Sequence, residues 1–240
     1  MPTVLLLRHG LTAMTGPVLA GRTPGVHLDD RGTAQAAAAA ERLAVLPLAA
    51  VRTSPLERCA ETARAVTRAQ QAAGRTVPQR VDRRLVECDY GDWTGRSIAS
   101  LAKDPLWPVV QAHPSGVTFP GGESMAAMAE RAVRAVRAVD AELAASTGPD
   151  ALWVACSHGD VIKAVLADAL GLHLDLFQRL VVDPCSVSVV RYTAGRPFVL
   201  TSNDTTGDLS RFVPAPPPKR GRRKVSSDAT VGGGAGAGAV

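Results

Sequence analysis

Two histidines stand in matching surroundings far apart in this 240-residue chain. The apolar run Thr3 to Leu7 ends in Arg8-His9-Gly10, and a second run, Leu152 to Cys156, ends in Ser157-His158-Gly159-Asp160. Short apolar runs bounded by Gly read as buried strands whose last residues emerge at a sheet edge. In α/β folds that edge is where ligands bind. If the two strands are parallel neighbours, His9 and His158 face one another. A lone histidine at a strand end is more often a loop residue than a catalyst, but two in equivalent contexts favour a site. Neutral imidazole is a competent nucleophile near pH 7, so nucleophilic chemistry is within their reach.

The elements around the pair must aim further groups at it. A strand over Ala49 to Thr53 runs into Ser54-Pro55-Leu56-Glu57, which reads as a helix start with Ser54 as N-cap and Pro55 at the first helical position. That places Arg58 in the first turns of a helix whose N-terminus points at the same edge and favours anions. The plainer alternative pairs Arg58 with Glu57 or Glu61 on the surface. The loop from Gly10 to Asp29 carries Arg22 between glycines, where it either reaches an anion or lies in a solvated turn. Further on, Val86 to Trp93 is a turn-rich stretch in which Glu87, Asp89 and Asp92 cannot all be core residues. Composition does not choose among them.

The rest of the chain alternates in the α/β manner. Asp30 is placed to cap an Ala-rich helix over Thr33 to Leu46, and Gln79 to Leu85 is expected to add a short strand. Prolines between Pro105 and Pro120 predict an irregular segment around Trp107 and His113, suited to a lid. After Gly121-Gly122-Glu123-Ser124, Met125, Met128, Ala132, Val136, Val139 and Leu143 recur at helical spacing, leaving Arg131, Arg134 and Arg137 on a solvated face. A helix from Val161 to Leu170 stops at Gly171, and Ser186 to Tyr192 with Phe198 to Thr201 close the sheet as a hairpin.

Composition bounds the function classes. With 46% hydrophobic residues the chain can bury one substantial core, and with only 4% aromatics Ala, Val and Leu must fill it. The net charge of +5 resides mostly in Lys219, Arg220, Arg222, Arg223 and Lys224, opposed there only by Asp228, so the preceding body is near neutral and no nucleic-acid partner is expected for it. From Val213 the Pro-rich, basic and Gly/Ala segment is expected to be disordered. Cys59, Cys88, Cys156 and Cys185 are too widely spaced for a zinc or disulfide framework, which predicts a reduced compartment and no metal. The apolar start is short and cut off by Arg8, and no membrane-length run follows, so a cytoplasmic protein with no membrane partner is expected.

Several motifs in fixed order carry a resemblance: Leu7-Arg8-His9-Gly10, Thr53 to Ala63, Tyr90-Gly91-Asp92-Trp93-Thr94-Gly95 and Ser157-His158-Gly159-Asp160. Together they resemble the histidine phosphatase, or phosphoglycerate mutase-like, superfamily over residues 1–212, most closely an actinobacterial branch of phosphomutase- and acid phosphatase-type proteins. The resemblance implies a three-layer α/β/α sandwich around a mostly parallel mixed sheet, with one catalytic domain over 1–212 and a tail over 213–240.

The same resemblance implies roles. His9 would attack phosphorus and become phosphohistidine, while Arg8, Arg58 and His158 hold the transferring group. Planar guanidinium forks match phosphate geometry and neutralise it without a metal or other cofactor. Glu87 matches the carboxylate that protonates the leaving oxygen, with Asp89 as fallback. Thr12 and Arg22 fall where relatives contact substrate. Thr15 stands where many relatives carry Asn, so a hydroxyl replaces an amide in the substrate contact there. Glu123 has no assigned role. The expected activity is metal-independent hydrolysis of a small phosphomonoester. A phosphoglycerate mutase-type phosphomutase is the alternative, disfavoured because the longer basic insert of such mutases is missing from this sequence. A protein binding acidic partners through its basic tail is the third reading. Homodimer formation stays open.

Overall fold

The computed structural model describes residues 2–214, so the tail expected over 213–240 lies almost wholly outside the described residues. A six-stranded sheet, in the order β3-β2-β4-β1-β5-β6, forms the middle layer. Its strands are β1 (Thr3–Arg8), β2 (Leu48–Thr53), β3 (Gln79–Val81), β4 (Leu152–Ser157), β5 (Val187–Tyr192) and β6 (Pro197–Asp204). The first four run parallel, while β5 and β6 add an antiparallel hairpin beside β1. The expected mixed, mostly parallel sheet is therefore present. Strand β4 is buried along its whole length and β1 along all but its last residue, which is why both read as continuous apolar runs rather than alternating ones.

Alternate side chains of these strands enter two separate cores. Val4, Leu6, Trp153 and Ala155 pack with α5 (Met125–Ser146) and α6 (Gly159–Leu170). Leu5, Leu7, Val154 and Cys156 pack with α1 (Asp30–Leu43) and α2 (Glu57–Ala72). Small alanines at positions 36, 39 and 40 let α1 lie close on its face. The helix begins earlier than its sequence suggests, because Asp29 and not Asp30 is the cap, accepting from Gly32 N at 2.7 Å. Gly171 ends α6 in the left-handed region, as expected.

Two segments depart from the sequence reading. Gln79 to Leu85 is strand only as far as Val81, and Arg83–Leu85 turns as a 3-10 helix. Within the segment Pro105 to Pro120, expected to be irregular, α4 (Trp107–Ala112) and a 3-10 turn over Pro114–Gly116 form, and α3 (Ile98–Leu101) precedes it. Pro108 is tolerated because it occupies the first turn of α4. Trp107 stacks on Trp93 with centroids 6.1 Å apart, while Leu101, Val110, Val117 and Phe119 join the α5–α6 core. This stretch is thus part of the packed body and not a loose flap. All four cysteines are buried and unbridged, and no helix among the described residues is long and apolar enough to cross a membrane.

Candidate active site

Register brings the histidines together. Strands β1 and β4 pair in parallel with Arg8 opposite Ser157, and His9 N continues the ladder by donating to Ser157 O at 3.0 Å. The imidazoles that follow lie with centroids 5.2 Å apart at an interplanar angle of 64°. Strand β2 ends beside β4, with Thr53 opposite Cys156, so α2 starts at the same edge and delivers Arg58. Arg58 is 2% exposed, too buried for the surface pairing with Glu57 or Glu61.

The hydrogen bonds fix the His9 tautomer. Its Nδ1 lies 2.7 Å from Gly10 O, which can only accept, so Nδ1 carries the proton. The lone pair is left on Nε2, which accepts from Arg58 Nε at 3.2 Å. Burial, followed by the Arg58 charge, lowers the His9 pKa to about 3, so the ring is neutral at physiological pH. His158 is held lower than usual for the same reasons, burial first and then the neighbouring His9 and Arg58. Its Nδ1 accepts from Arg58 Nη2 at 3.3 Å, and its Nε2 faces Ser54 Oγ at 2.7 Å.

Ser54, expected as a helix cap, has a second partner in the structure. Helix α2 begins at Glu57 with Leu56 at the cap position, and the Ser54 hydroxyl both accepts from Leu56 N at 3.4 Å and faces His158 Nε2 at 2.7 Å. A serine ahead of Pro and Glu carries the same local signal for either job. Only the neighbouring strand shows the second partner.

Two guanidinium nitrogens in this cluster, Arg8 Nε and Arg58 Nη1, are buried without a hydrogen-bond partner among the described residues. Unpaired buried donors on charged groups are costly, on the order of 1–3 kcal/mol or more each, so such donors mark a place built for an acceptor. One further nitrogen of each is anchored: Arg8 Nη1 donates to Val182 O at 2.6 Å and Arg58 Nη2 to Gly21 O at 2.7 Å.

Among the three candidate carboxylates the structure separates one. Glu87 is buried, and its pKa is raised to about 7, by burial first and then by the Asp160 charge. Its Oε1 accepts from Cys88 N at 2.9 Å. Asp160, on the first turn of α6, accepts from Tyr90 Oη at 2.8 Å. By contrast Asp89 folds back on its own loop, with Oδ1 accepting from Gly91 N at 3.1 Å and Oδ2 from Arg22 Nη1 at 3.2 Å. A loop tie of this kind does not suit a proton donor.

The remaining candidates are engaged with protein groups. Thr12 and Thr15 bond to each other, Oγ1 to Oγ1 at 3.0 Å, and close the turn after His9. Arg22 donates through Nε to Glu87 O at 2.9 Å and through Nη2 to Glu123 Oε1 at 2.9 Å. Arg131, which helical spacing put on a solvated face, instead donates to Glu123, Arg84 O and Glu87 O. Nothing local in the sequence predicts that convergence, because Glu123 and Arg22 are 101 residues apart.

The chain is similar to known proteins over most of its length. "Bifunctional protein Rv2228c" of Mycobacterium tuberculosis is 37% identical over 195 residues, covering 80% of this chain and 50% of that protein. The chain thus spans about half the length of the first curated relatives it matches. A Klebsiella pneumoniae relative, "Probable phosphoglycerate mutase GpmB", is 32% identical over 217 residues, 88% of this chain and 95% of that one. Among solved structures, mycobacterial glucosyl-3-phosphoglycerate phosphatase Rv2419c superposes with a TM-score of 0.72 at 28% identity, covering 84% of this chain and 98% of that chain. The model of the histidine phosphatase superfamily (branch 1) matches residues 4–205, and the chain belongs to that superfamily.

Proposed function

We propose that residues 1–212 form a phosphatase that hydrolyses a small phosphomonoester through a phosphohistidine on His9. The observation that carries this reading is the His9 tautomer: a neutral buried ring with Nδ1 bonded to Gly10 O and its Nε2 lone pair turned to the cationic Arg58. Nε2 attacks phosphorus while the bond to the leaving oxygen breaks, and the electron pair departs on that oxygen. Glu87, protonated up to about pH 7, supplies the proton. In the second step the Glu87 carboxylate takes a proton from water, whose oxygen displaces His9 and releases inorganic phosphate.

Arg8 and Arg58 neutralise the transferring oxygens in place of a metal ion, and His158 helps to hold the transferring group beside them. The unpartnered Arg8 Nε and Arg58 Nη1 are the donors available for that work. Charge stabilisation in a site shielded from water is the largest catalytic contribution expected here. Thr12, Thr15 and Arg22 shape the rim against which the leaving group rests, and the Thr12–Thr15 hydroxyl pair takes the place an amide fills in many relatives.

The test is turnover of p-nitrophenyl phosphate, sugar phosphates and phosphoglycerates with chelator present, alongside His9→Ala and acid-labile phosphate trapping. Release of phosphate with label on His9 is the expected result; full activity of His9→Ala refutes the nucleophile. The mutase relative supports a second reading, in which the phosphoryl group returns to another hydroxyl of the same substrate. Interconversion of 3- and 2-phosphoglycerate without free phosphate selects it.

A further inference from the structure

Glu123, left without a role by the sequence, lies at the centre of an ion network with Arg22, Arg131 and Asp89 behind the candidate acid. Its Oε1 accepts from Asp89 N at 2.9 Å, Arg22 Nη2 at 2.9 Å and Arg131 Nη2 at 2.6 Å, and its Oε2 accepts from Arg131 Nε at 3.1 Å. Both arginines also reach the acid's own backbone, with Arg22 Nε at 2.9 Å and Arg131 Nη2 at 3.0 Å from Glu87 O. The peptide groups on either side of Cys88 are therefore gripped, one at the Glu87 carbonyl and one at the Asp89 amide.

The backbone beneath is equally constrained. Glu123 N donates to Asp89 O at 2.9 Å and Asp92 N to Pro120 O at 2.8 Å, laying the acid's loop directly on the turn before α5. A side chain on Gly91 would strike the Pro120 carbonyl, and one on Gly122 the Asp89 carbonyl, so this close approach requires glycine at both places. The chain of contacts also extends to the clamp, because Gly21, next to Arg22, accepts from Arg58 Nη2.

We propose that Glu123 is a positioning residue: by holding Arg22 and Arg131 on the Glu87 carbonyl, it keeps the Glu87 carboxyl aimed at the leaving oxygen. Two guanidinium groups sharing one carbonyl repel each other, and the Glu123 carboxylate between them makes that convergence stable. The network couples the loop after β1, the acid's loop and α5 into one support, so acid and clamp share a single frame.

Leaving-group dependence tests this role separately from simple structural support. The substrates are p-nitrophenyl phosphate, whose leaving oxygen needs little protonation, and glycerol phosphate, whose alkoxide needs much. Glu123→Gln, Glu123→Ala and Arg131→Lys are each compared with wild type in kcat/KM, which reports the step that breaks the bond to the leaving group. The expected result is a loss at least about 10-fold greater with glycerol phosphate than with p-nitrophenyl phosphate. In a Glu87→Gln background the same changes are expected to add little, as for groups acting through one another. Equal losses with both substrates, accompanied by a lower Tm, would overturn the proposal. If Glu123→Ala fails to fold, Glu123→Gln and Arg131→Lys decide by the same criterion. The inference rests on the phosphatase reading. A wild type with no turnover and no phosphohistidine rejects that reading, whereas an active wild type with equal losses rejects only the role of Glu123.

Discussion

Glu87 and Asp140 are both buried carboxylates with raised pKa values, and they lie in different regions of the molecule. Glu87 is within the electrostatic reach of Arg58 and Arg8 and is raised to about 7 by burial and then Asp160. Asp140 lies in the interior of the α5–sheet layer, where burial raises it to about 6 and its Oδ1 accepts from Trp153 Nε1 at 3.3 Å. Burial alone perturbs both. What separates them is company: Glu87 feels the charges of Arg58 and Arg8, which also flank the His9 ring, whereas Asp140 meets the Trp153 indole. A perturbed acid therefore marks chemistry only where a nucleophile and anion-holding groups share its space.

The sharpest way to break this comparison is at the nucleophile. His9→Ala is expected to lower kcat by roughly 10⁴-fold or more, read by phosphate release and by loss of trapped phosphohistidine. Next comes Glu87→Gln, with an expected loss of about 10²–10⁴-fold on alkyl phosphates. In wild type, kcat/KM should decline above about pH 7 as Glu87 loses its proton, and this alkaline limb should disappear in Glu87→Gln. A limb that persists there would move the acid elsewhere.

Asp140→Asn sharpens the other half of the comparison, since it should change stability and leave turnover intact. A carboxyl whose folded pKa exceeds its ordinary value of 3.8 binds its proton more tightly when folded. Its contribution is thus most favourable below about pH 3.8 and declines as pH rises through about 6. Asparagine keeps the acceptor for Trp153 without the buried charge, so about 1–3 kcal/mol of added stability at pH 7 is expected from urea or thermal unfolding. The smallest effect is assigned to Ser54→Ala, which removes the hydroxyl partner of His158 Nε2 and leaves Cys59 Sγ at 3.4 Å. A loss of roughly 5-fold in kcat/KM is expected, the worth of one net hydrogen bond.

Much of the site could be read locally because its carriers follow strands. The apolar runs before His9 and His158 place each ring at a strand end, and Pro55-Leu56-Glu57 announces the helix carrying Arg58. The same local logic gave only half of Ser54, whose hydroxyl meets both the start of α2 and His158 Nε2. It also misplaced Arg131, because helical spacing identifies the face a residue occupies but not what another loop brings to that face. Between Pro105 and Pro120 the proline signal outweighed the apolar one, and packing of Trp107 and Val110 on the body decided for helix over Trp107–Ala112.

The order of apolar runs, caps and glycines along the chain sufficed to determine an α/β sheet and the edge at which its histidines emerge, because strand period and burial are written in neighbouring residues. Which nitrogen of His9 holds the lone pair, which of three carboxylates is buried, and how Glu123 gathers two arginines were decided only in three dimensions. Those properties depend on desolvation and on partners up to about a hundred residues away, and neither is encoded in any short stretch of the chain.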